Sequence, residues 1–286
     1  MIVTDKLSPN PLHRMRSRLA AGVLEEQWTV NYQVNKKYLD KSVPFSSLTN
    51  VNDGAIAIVV GAGPSLSENL KGLVHFPDKD NVVFFCTDKA FPRMIDSGVP
   101  NFVCALNAKS PNKEVCDWWK AGTAGSTLIM PITADPITLS GWLGRYCFIN
   151  ANLPITLTDT ITDETGLNPL SSGSNVGVFS YLMAVRLGFT KVVLIGMDYS
   201  FETREEVVRK YPPQEPYIIM EHRNQKGEVR WSSWDWFDSA VAFFEYARFY
   251  GKNGIRTANC TEGGIVYDGE FVEAMTMEEA GRALWP

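Results

Sequence analysis

Residues 55–74 read AIAIVVGAGPSLSENLKGLV, an apolar run followed by a glycine-containing turn and then a segment with helical spacing. Unbroken apolar runs such as Ala55–Val60 are typical of strands that are buried on both faces of a parallel sheet. A helix is predicted over Ser65–Val74, and Pro64 suits its first turn because the N–H that proline lacks would be unpaired there anyway. This strand–turn–helix order predicts a βαβ architecture.

The same alternation of apolar runs and helical segments continues along the chain. Further strands are predicted at Val82–Thr87, Phe102–Leu106, Thr127–Met130, Lys191–Ile195 and Ile255–Ala258. Further helices are predicted at Lys89–Ser97, Asn112–Lys120, Asn175–Leu187 and Trp234–Tyr250, with C-terminal caps at Gly188 and Gly251. A last helix starts at Thr276, where Glu279 completes a capping box. The sequence therefore predicts the α/β class, with a doubly wound, mostly parallel, Rossmann-like sheet.

Two additions to this sheet are predicted. Residues 1–50 form an N-terminal helical arm, whose apolar residues recur every three or four positions at Leu12, Met15, Leu19 and Val23. Residues 51–286 form the nucleotide-binding domain. Within that domain a stretch of about residues 200–233, rich in proline and charge, is predicted to be an inserted lid.

Composition argues against several classes of protein. The 286 residues include 27 Lys+Arg and 32 Asp+Glu, a net charge of −5 that argues against a nucleic-acid partner. We expect no membrane span and a cytoplasmic location, because no apolar run approaches ~20 residues and no signal-peptide core follows the N-terminus. We expect neither disulfide nor metal site, because the 5 cysteines and 3 histidines lack C-x-x-C and H-x-x-x-H spacings. A homodimer is left open.

Small, polar and glycine-containing segments follow the predicted strands. In an open parallel sheet the ligand crevice lies outside the carboxyl ends of the strands. We therefore expect a binding site built from segments 61–66 (GAGPSL), 87–90 (TDKA), 107–112 (NAKSPN), 196–200 (GMDYS) and 259–264 (NCTEGG).

Two of the glycine–serine segments are predicted to bind phosphate. In GAGPS, the N–H groups at the start of the Ser65 helix can face a phosphate, while Gly61 and Gly63 let it approach. A tight turn without a ligand is the alternative. The SSGSN segment precedes another helix and offers four further residues, Ser172, Gly173, Ser174 and Asn175. There the alternative is a plain helix N-cap, for which Ser174 or Asn175 is sufficient.

Two aspartates stand at predicted strand ends. Asp198 is placed to hold a ribose, Mg²⁺ or an acceptor hydroxyl, or merely to cap its loop. Asp88 is placed like the acid that binds the adenosine ribose in dehydrogenases. However, Leu66 stands where the dinucleotide fingerprint G-x-G-x-x-G has its third glycine. A nicotinamide or flavin enzyme therefore stays an alternative.

The last strand-end segment and the lid supply further polar groups. Thr261, Gly263 and Gly264 lie in NCTEGG, a turn whose backbone can bind a base or a phosphate. The lid contains several basic side chains that could close over phosphates or simply be solvated: Arg204, Arg209, Lys210, His222, Arg223 and Arg230.

Together, GAGPSL, residues 171–200 and NCTEGG resemble a Rossmann-like family that groups 6-hydroxymethylpterin diphosphokinase (MptE)-like proteins with flagellar motility accessory factors. Bacterial CMP-dependent sialyltransferases share the G-x-G-P-S-L and S-G…LG…G-x-D pattern. The resemblance covers about residues 55–270 and leaves the first 50 outside. It implies a nucleotide-phosphate loop at Gly61, Gly63, Pro64 and Ser65, and a second segment at Ser172, Gly173 and Ser174. It also implies a G-x-D acid at Asp198 and a T-x-G-G element at Thr261, Gly263 and Gly264.

The sequence lacks one motif that is typical of each of the two activities known in this group. Archaeal diphosphokinase members carry an Asp-containing metal motif after the third strand, where this chain has Leu106, Asn107 and Ala108. That difference argues against pyrophosphoryl transfer assisted by Mg²⁺, although Asn107 keeps a place in the predicted nucleotide site. Sialyltransferase-like members place a catalytic histidine before the penultimate helix, where this chain reads WSSW (231–234), and its nearest histidine is His222.

The sequence thus predicts a nucleotide-binding transferase that uses a nucleotide-activated donor. Glycosyl transfer from a CMP-sugar is slightly favoured over diphosphate transfer from ATP, with Mg²⁺, to a pterin-like alcohol. In either reaction Asp198 would orient the ribose or the acceptor, and His222 would act as general base. A nucleotide-binding module without catalysis is the third alternative.

Overall fold

The computed structural model describes residues 11–48, 54–75, 81–95, 97–98, 100–109, 123–210, 218–267 and 269–284. The helix predicted at Asn112–Lys120 and the proline-rich centre of the predicted lid, residues 211–217, lie outside the described residues.

Within these ranges the chain alternates helices and strands. The α-helices are α1 (Pro11–Asn35), α2 (Leu66–Lys71), α3 (Phe91–Ile95), α4 (Leu157–Thr165), α5 (Val176–Arg186), α6 (Arg204–Arg209), α7 (Trp234–Gly251) and α8 (Met277–Leu284). The strands are β1 (Ile56–Val60), β2 (Val82–Thr87), β3 (Phe102–Cys104), β4 (Thr127–Pro131), β5 (Arg145–Ala151), β6 (Pro169–Leu170), β7 (Lys191–Ile195), β8 (Ile219–Arg223), β9 (Val229–Ser233), β10 (Arg256–Asn259) and β11 (Val272–Ala274). Short 3₁₀ helices occur at Lys36–Lys41, Phe45–Leu48, Gly72–His75, Thr123–Gly125 and Pro136–Leu139. No helix of the described part is both long enough and apolar enough to cross a bilayer.

Nine of the strands form a sheet in the order β11-β10-β7-β1-β2-β3-β4-β5-β6. Parallel pairs run from β11–β10, β10–β7 and β7–β1 at one end to β2–β3, β3–β4, β4–β5 and β5–β6 at the other. The predicted α/β class and Rossmann-like sheet are confirmed. All the predicted strands are present, and β5, β6 and β11 are strands that the sequence analysis missed. The strand order reverses between β1 and β7, which is where open α/β sheets bind ligands.

The strand β1 shows why the opening stretch of sequence decides this fold. All five of its residues are buried, and it pairs in parallel with β7 through Ile58 opposite Val193. The strand β7 lies between β1 and β10, and four of its five residues are also buried. Strands covered on both faces need continuous apolar runs, which is the pattern seen at 56–60 and 191–195.

The chain divides into two compact units. Residues 1–51 and 85–183 form the first unit, and residues 52–84 and 184–286 form the second. The arm helix α1 belongs to the first unit, where two buried asparagines form hydrogen bonds that hold it in place. Asn31 donates to the carbonyls of Ala108 and Thr133, at 2.8 and 3.0 Å. Asn35 donates to two further carbonyls that follow β4.

Helix termini in the second unit test the predicted caps. The capping box of α8 is confirmed, because the Thr276 hydroxyl accepts the Glu279 N–H at 3.1 Å and Glu279 accepts the Thr276 N–H at 2.8 Å. Gly188 has the left-handed φ of +102° expected of a cap. The cap predicted at Gly251 is wrong, because this residue is still helical and Lys252 follows it as the C-cap. A Cβ at Gly251 would lie 2.6 Å from the Phe271 ring, so close packing favours glycine there.

The segment predicted as a lid has regular secondary structure in its described part. It contains helix α6 and an antiparallel hairpin of β8 and β9. Two backbone hydrogen bonds between Phe201 and Trp231, of 2.7 and 2.8 Å, tie its beginning to β9.

Candidate functional site

A cavity of about 580 Å³ lies in the second unit, at the turns that follow β1, β7 and β10. Its lining contains residues from all three turns, together with a side chain from β9. Among these are Ser65, Asn69, Asp198, Arg230, Thr261 and Gly263. Several residues predicted for the site from sequence are thus brought together, at the place where the strand order reverses.

The glycines of the first turn allow it to pack directly on the turn after β7. Gly61 and Gly63 donate their N–H groups to the carbonyls of Ile195 and Gly196, both at 2.8 Å. A Cβ at Gly61 would meet the Gly196 carbonyl carbon at 2.9 Å, and one at Gly63 would overlap the carboxylate of Asp198. Close approach therefore explains both glycines, and both amides are bonded within the protein.

The third turn contacts Asp198 from another direction. A Cβ at Gly264 would lie 2.5 Å from the Asp198 Cα, and the Ile265 N–H donates to the Asp198 carbonyl at 3.0 Å. Asp198 is consequently enclosed by two glycine-containing turns, with only 4% of its surface exposed.

The carboxylate of Asp198 is bonded on one side by Ser65. Its Oδ2 accepts from the Ser65 hydroxyl at 2.9 Å and from the Ser65 N–H at 3.4 Å. Burial raises the pKa of Asp198 to about 6, although the Ser65 hydrogen bonds and the charge of Arg230 act in the opposite direction. A carboxyl with such a pKa can both accept and donate a proton near neutral pH, as acid–base catalysis requires.

A buried asparagine that the sequence analysis missed joins all three turns. Asn69 accepts the Gly196 N–H at 2.9 Å and donates to the Thr261 carbonyl at 3.2 Å. Its Oδ1 also lies 2.9 Å from the Ser65 hydroxyl. Because that hydroxyl has one hydrogen, it donates either to Asn69 or to Asp198 at any moment. An asparagine one turn after Ser65, inside a predicted helix where asparagine is unfavourable, was the available signal.

Arg230 is a cation on the cavity wall, and the sequence named it only among several basic residues of the lid. Its side chain is 14% exposed and lies 2.8 Å from Glu228 and 3.8 Å from Glu202. Its Nε donates to the Gly263 carbonyl at 2.6 Å. Within the described lining it is the single basic residue, against five acidic ones: Glu68, Asp198, Glu202, Glu262 and Glu278.

Thr261 contributes a buried hydroxyl to the same region. The residue is 1% exposed, and its Oγ1 has no hydrogen-bond partner in the described structure. Buried hydroxyls are normally hydrogen-bonded, so this one is an unsatisfied polar group at the cavity.

His222, the predicted general base, is in the same unit but is not part of the described cavity lining. Its ring stacks on Phe237 with centroids 4.8 Å apart, and it pairs with Arg230 across the hairpin. Burial lowers the pKa of His222, and its Nε2 is buried with no partner among the described residues. Its catalytic role stays a prediction.

The other predicted residues belong to the first unit. Asp88 is 6% exposed, its Oδ1 accepts the Lys89 N–H at 2.8 Å, and burial raises its pKa. The Asn107 carbonyl accepts the Asp135 N–H at 2.9 Å. Their predicted roles in nucleotide binding stay predictions.

The SSGSN segment starts helix α5. Asn175 is its N-cap, because Oδ1 accepts the N–H groups of Gly177 and Val178 at 2.8 and 3.0 Å. The Ser174 hydroxyl is buried without a partner in the described structure, and Gly173 has a left-handed φ of +70°. Ser172 is half-buried beside them. Capping thus accounts for Asn175, while nucleotide binding by the other three stays a prediction.

The described residues directly after β3, 105–109, include no carboxylate that could hold a resident Mg²⁺. Asn107 offers a neutral amide where Mg²⁺ prefers carboxylates. In the described part of the chain, no group of three or more His, Cys, Asp or Glu residues is placed to hold a metal ion.

A protein-family model described as "6-hydroxymethylpterin diphosphokinase MptE-like" matches residues 27–204. The match begins within α1, so the expectation that the first 50 residues lie outside the resemblance is wrong. It ends before β8, β9 and the NCTEGG turn.

A solved structure with a similar fold is the MAf glycosyltransferase from Magnetospirillum magneticum AMB-1. The TM-score is 0.61 at 18% sequence identity, over 79% of this chain and 34% of that one. This chain therefore spans about a third of the length of that protein, and the likeness concerns the fold. A search of curated proteins finds no match.

Proposed function

The chain belongs to the 6-hydroxymethylpterin diphosphokinase MptE-like family, and from this premise we propose that it is a transferase that binds a nucleotide-activated donor in the cavity beside Asp198. The family that the sequence motifs predicted is thereby confirmed. Diphosphokinases and glycosyltransferases both transfer a group from an activated donor, so the family and the similar structure support a transferase.

The acidic lining of the cavity favours a CMP-activated sugar as the donor. A triphosphate would bring more negative charge than a CMP-sugar into a lining whose described residues include five acids and one arginine. A CMP-sugar has one phosphodiester and many hydroxyl groups. Carboxylates accept hydrogen bonds from hydroxyls, and Phe201 adds an apolar surface to the same wall. This charge balance is the observation that carries the proposal.

Asp198 is the group best placed for the proton transfer. In glycosyl transfer an acceptor oxygen bonds to the anomeric carbon, the bond from that carbon to the phosphate oxygen breaks, and CMP leaves. The acceptor hydroxyl must lose its proton, and Asp198, with a pKa of about 6, can take it. His222 is the alternative base from the sequence prediction, but it lies outside the described lining of the cavity.

Diphosphate transfer from ATP to a pterin-like alcohol is the second candidate. It is favoured by the description of the family whose model matches residues 27–204. The amide at Asn107 and the single basic residue of the described cavity lining, Arg230, argue against it.

Calorimetric titration with CMP and with ATP, each with and without Mg²⁺, tests the proposal. We expect CMP to bind without metal and more tightly than ATP. Tighter binding of ATP that depends on Mg²⁺ would support the second candidate, and no binding of any nucleotide would reject both.

A pair of glycine variants tests the location of the site. In Gly63→Ala the new Cβ would displace the Asp198 carboxylate, and CMP affinity should fall at least about tenfold. Gly22→Ala, in α1, adds a methyl group with no atom within 4 Å and should bind CMP as the wild type does. Equal affinity in the two variants would place the nucleotide elsewhere.

A further inference from the structure

The NCTEGG turn leaves an open position between two charged groups. A Cβ at Gly263 would lie 3.6 Å from Arg230 Nη2 and 4.0 Å from Asp198 Oδ1, both ordinary contact distances. A ligand atom at that position can therefore contact the cation and the carboxylate together. The Asp198 oxygen concerned is not the one that accepts from Ser65, which is Oδ2.

Arg230 is held in place without using its whole guanidinium group. Nε is bonded to the Gly263 carbonyl at 2.6 Å, and Nη2 to Glu228 at 2.8 Å. Nη1 has a longer contact, 3.8 Å, with the highly exposed carboxylate of Glu202. Exposed ion pairs of this kind contribute little stability, so Nη1 can exchange Glu202 for an anionic ligand, and Nη2, the atom nearest the open position, has a second N–H besides the one that Glu228 accepts.

Thr261, two positions before Gly263 in the same turn, has a buried hydroxyl without a protein partner in the described structure. Since buried hydroxyls normally have a partner, this turn has an unsatisfied polar group at the cavity. The open position, the constrained cation and the unpartnered hydroxyl are independent features of one wall.

We propose that the space beside Gly263 is the subsite for the phosphate of the donor nucleotide, with Arg230 as its cation. The acceptor hydroxyl, whose proton Asp198 takes, donates to Asp198 Oδ1, and the phosphate lies on the Arg230 side because the carboxylate would repel it. This inference rests on the proposed nucleotide donor. It assigns the phosphate to the NCTEGG turn and β9, because the amides of Gly61 and Gly63 are bonded within the protein.

The test compares CMP with cytidine, which lacks the phosphate. Arg230→Gln should lower the affinity for CMP about 10- to 100-fold, the factor expected for a hydrogen bond to a charged group, and leave cytidine affinity within twofold. The fold should tolerate this change, because Asn224 still donates to Glu228 at 2.8 Å and lies 3.5 Å from the Gly263 carbonyl. Arg223→Gln is the matched control on the same hairpin, where the guanidinium donates to the Gly227 carbonyl at 2.8 Å.

A second variant tests the position of the phosphate rather than its charge. Gly263→Ala fills the open space while making only ordinary contacts, so it should fold normally and lose at least about tenfold in CMP affinity. The inference is overturned if Arg230→Gln and Gly263→Ala bind CMP like the wild type, or if cytidine affinity falls as much as CMP affinity. Failure of the wild type to bind either compound would instead overturn the proposed function, and this inference with it.

Discussion

Replacing Asp198 by asparagine should change how stability depends on pH. The substitution keeps the size of the side chain and an oxygen that can accept from Ser65, but it removes the ionisable group. In the folded protein burial raises the pKa of Asp198 from 3.8 to about 6. The folded state therefore holds the Asp198 proton more tightly than the unfolded state does.

The sign and size of the effect follow from these two values. Stability due to the protonated carboxyl is fully present below pH 3.8 and is lost as the pH rises through about 6. The interval between the two pKa values corresponds to about 3 kcal/mol of unfolding free energy. The unfolding free energy of Asp198→Asn minus that of the wild type should therefore rise by about this amount between pH 4 and pH 7.5.

Urea unfolding at a series of pH values, followed by tryptophan fluorescence, measures the difference. Trp231, Trp234 and Trp236 lie in the same unit as Asp198 and report on its unfolding, while Trp28 and Trp142 report on the first unit. Asp40→Asn, which changes an exposed carboxyl, is the control and should give a profile parallel to the wild type. Parallel profiles for wild type and Asp198→Asn would refute the assignment of a buried, largely uncompensated carboxylate.

Three other substitutions test the packing that supports the two units. Asn69→Ala should destabilise the protein by about 1–3 kcal/mol, because it leaves the buried Gly196 N–H without its acceptor, and thermal unfolding would show this. Gly264→Ala should lower the free energy of unfolding by about 1–3 kcal/mol and weaken CMP binding, because the added Cβ forces Asp198 to move. Thermal unfolding measures the first effect and calorimetric titration the second. Asn31→Ala should increase hydrogen exchange in the segments that follow β3 and β4, because two buried carbonyls lose their donor.

Matched controls make the same residue changes at positions where no buried contact is lost or crowded. Asn253→Ala removes an exposed asparagine that donates only to the Phe249 carbonyl, and Gly22→Ala adds a methyl group in open space. Melting temperatures of Asn69→Ala and Gly264→Ala equal to those of their controls would contradict the packing described. Unchanged exchange after β3 and β4 in Asn31→Ala would contradict the docking of α1.

The sheet was predictable because most of its strands are short, continuous, strongly apolar runs that can be recognised from the local sequence. Runs such as 56–60 and 191–195 specify buried parallel strands by composition alone, and the residues that follow them must meet at one edge. This geometry explains why the sequence could associate Gly61 with Asp198. The short edge strand β6, two residues long, has too little pattern to be recognised.

The site was predictable only where it depends on strand ends. Asn69 binds three turns at once, and no local pattern shows which turns a helix residue will reach. Arg230 is one of several basic residues between 204 and 230, and the cavity wall it joins is defined by the pairing of β9 with β8. The docking of α1 depends on asparagines, which in a helical pattern normally indicate the solvent face.

A crystal structure with CMP at saturating concentration tests the central claim most directly. The account predicts the nucleotide in the cavity of the second unit, with its phosphate within hydrogen-bond distance of Arg230 and beside Gly263. Nucleotide bound away from Asp198, or an empty cavity in crystals of protein that binds CMP in solution, would contradict it.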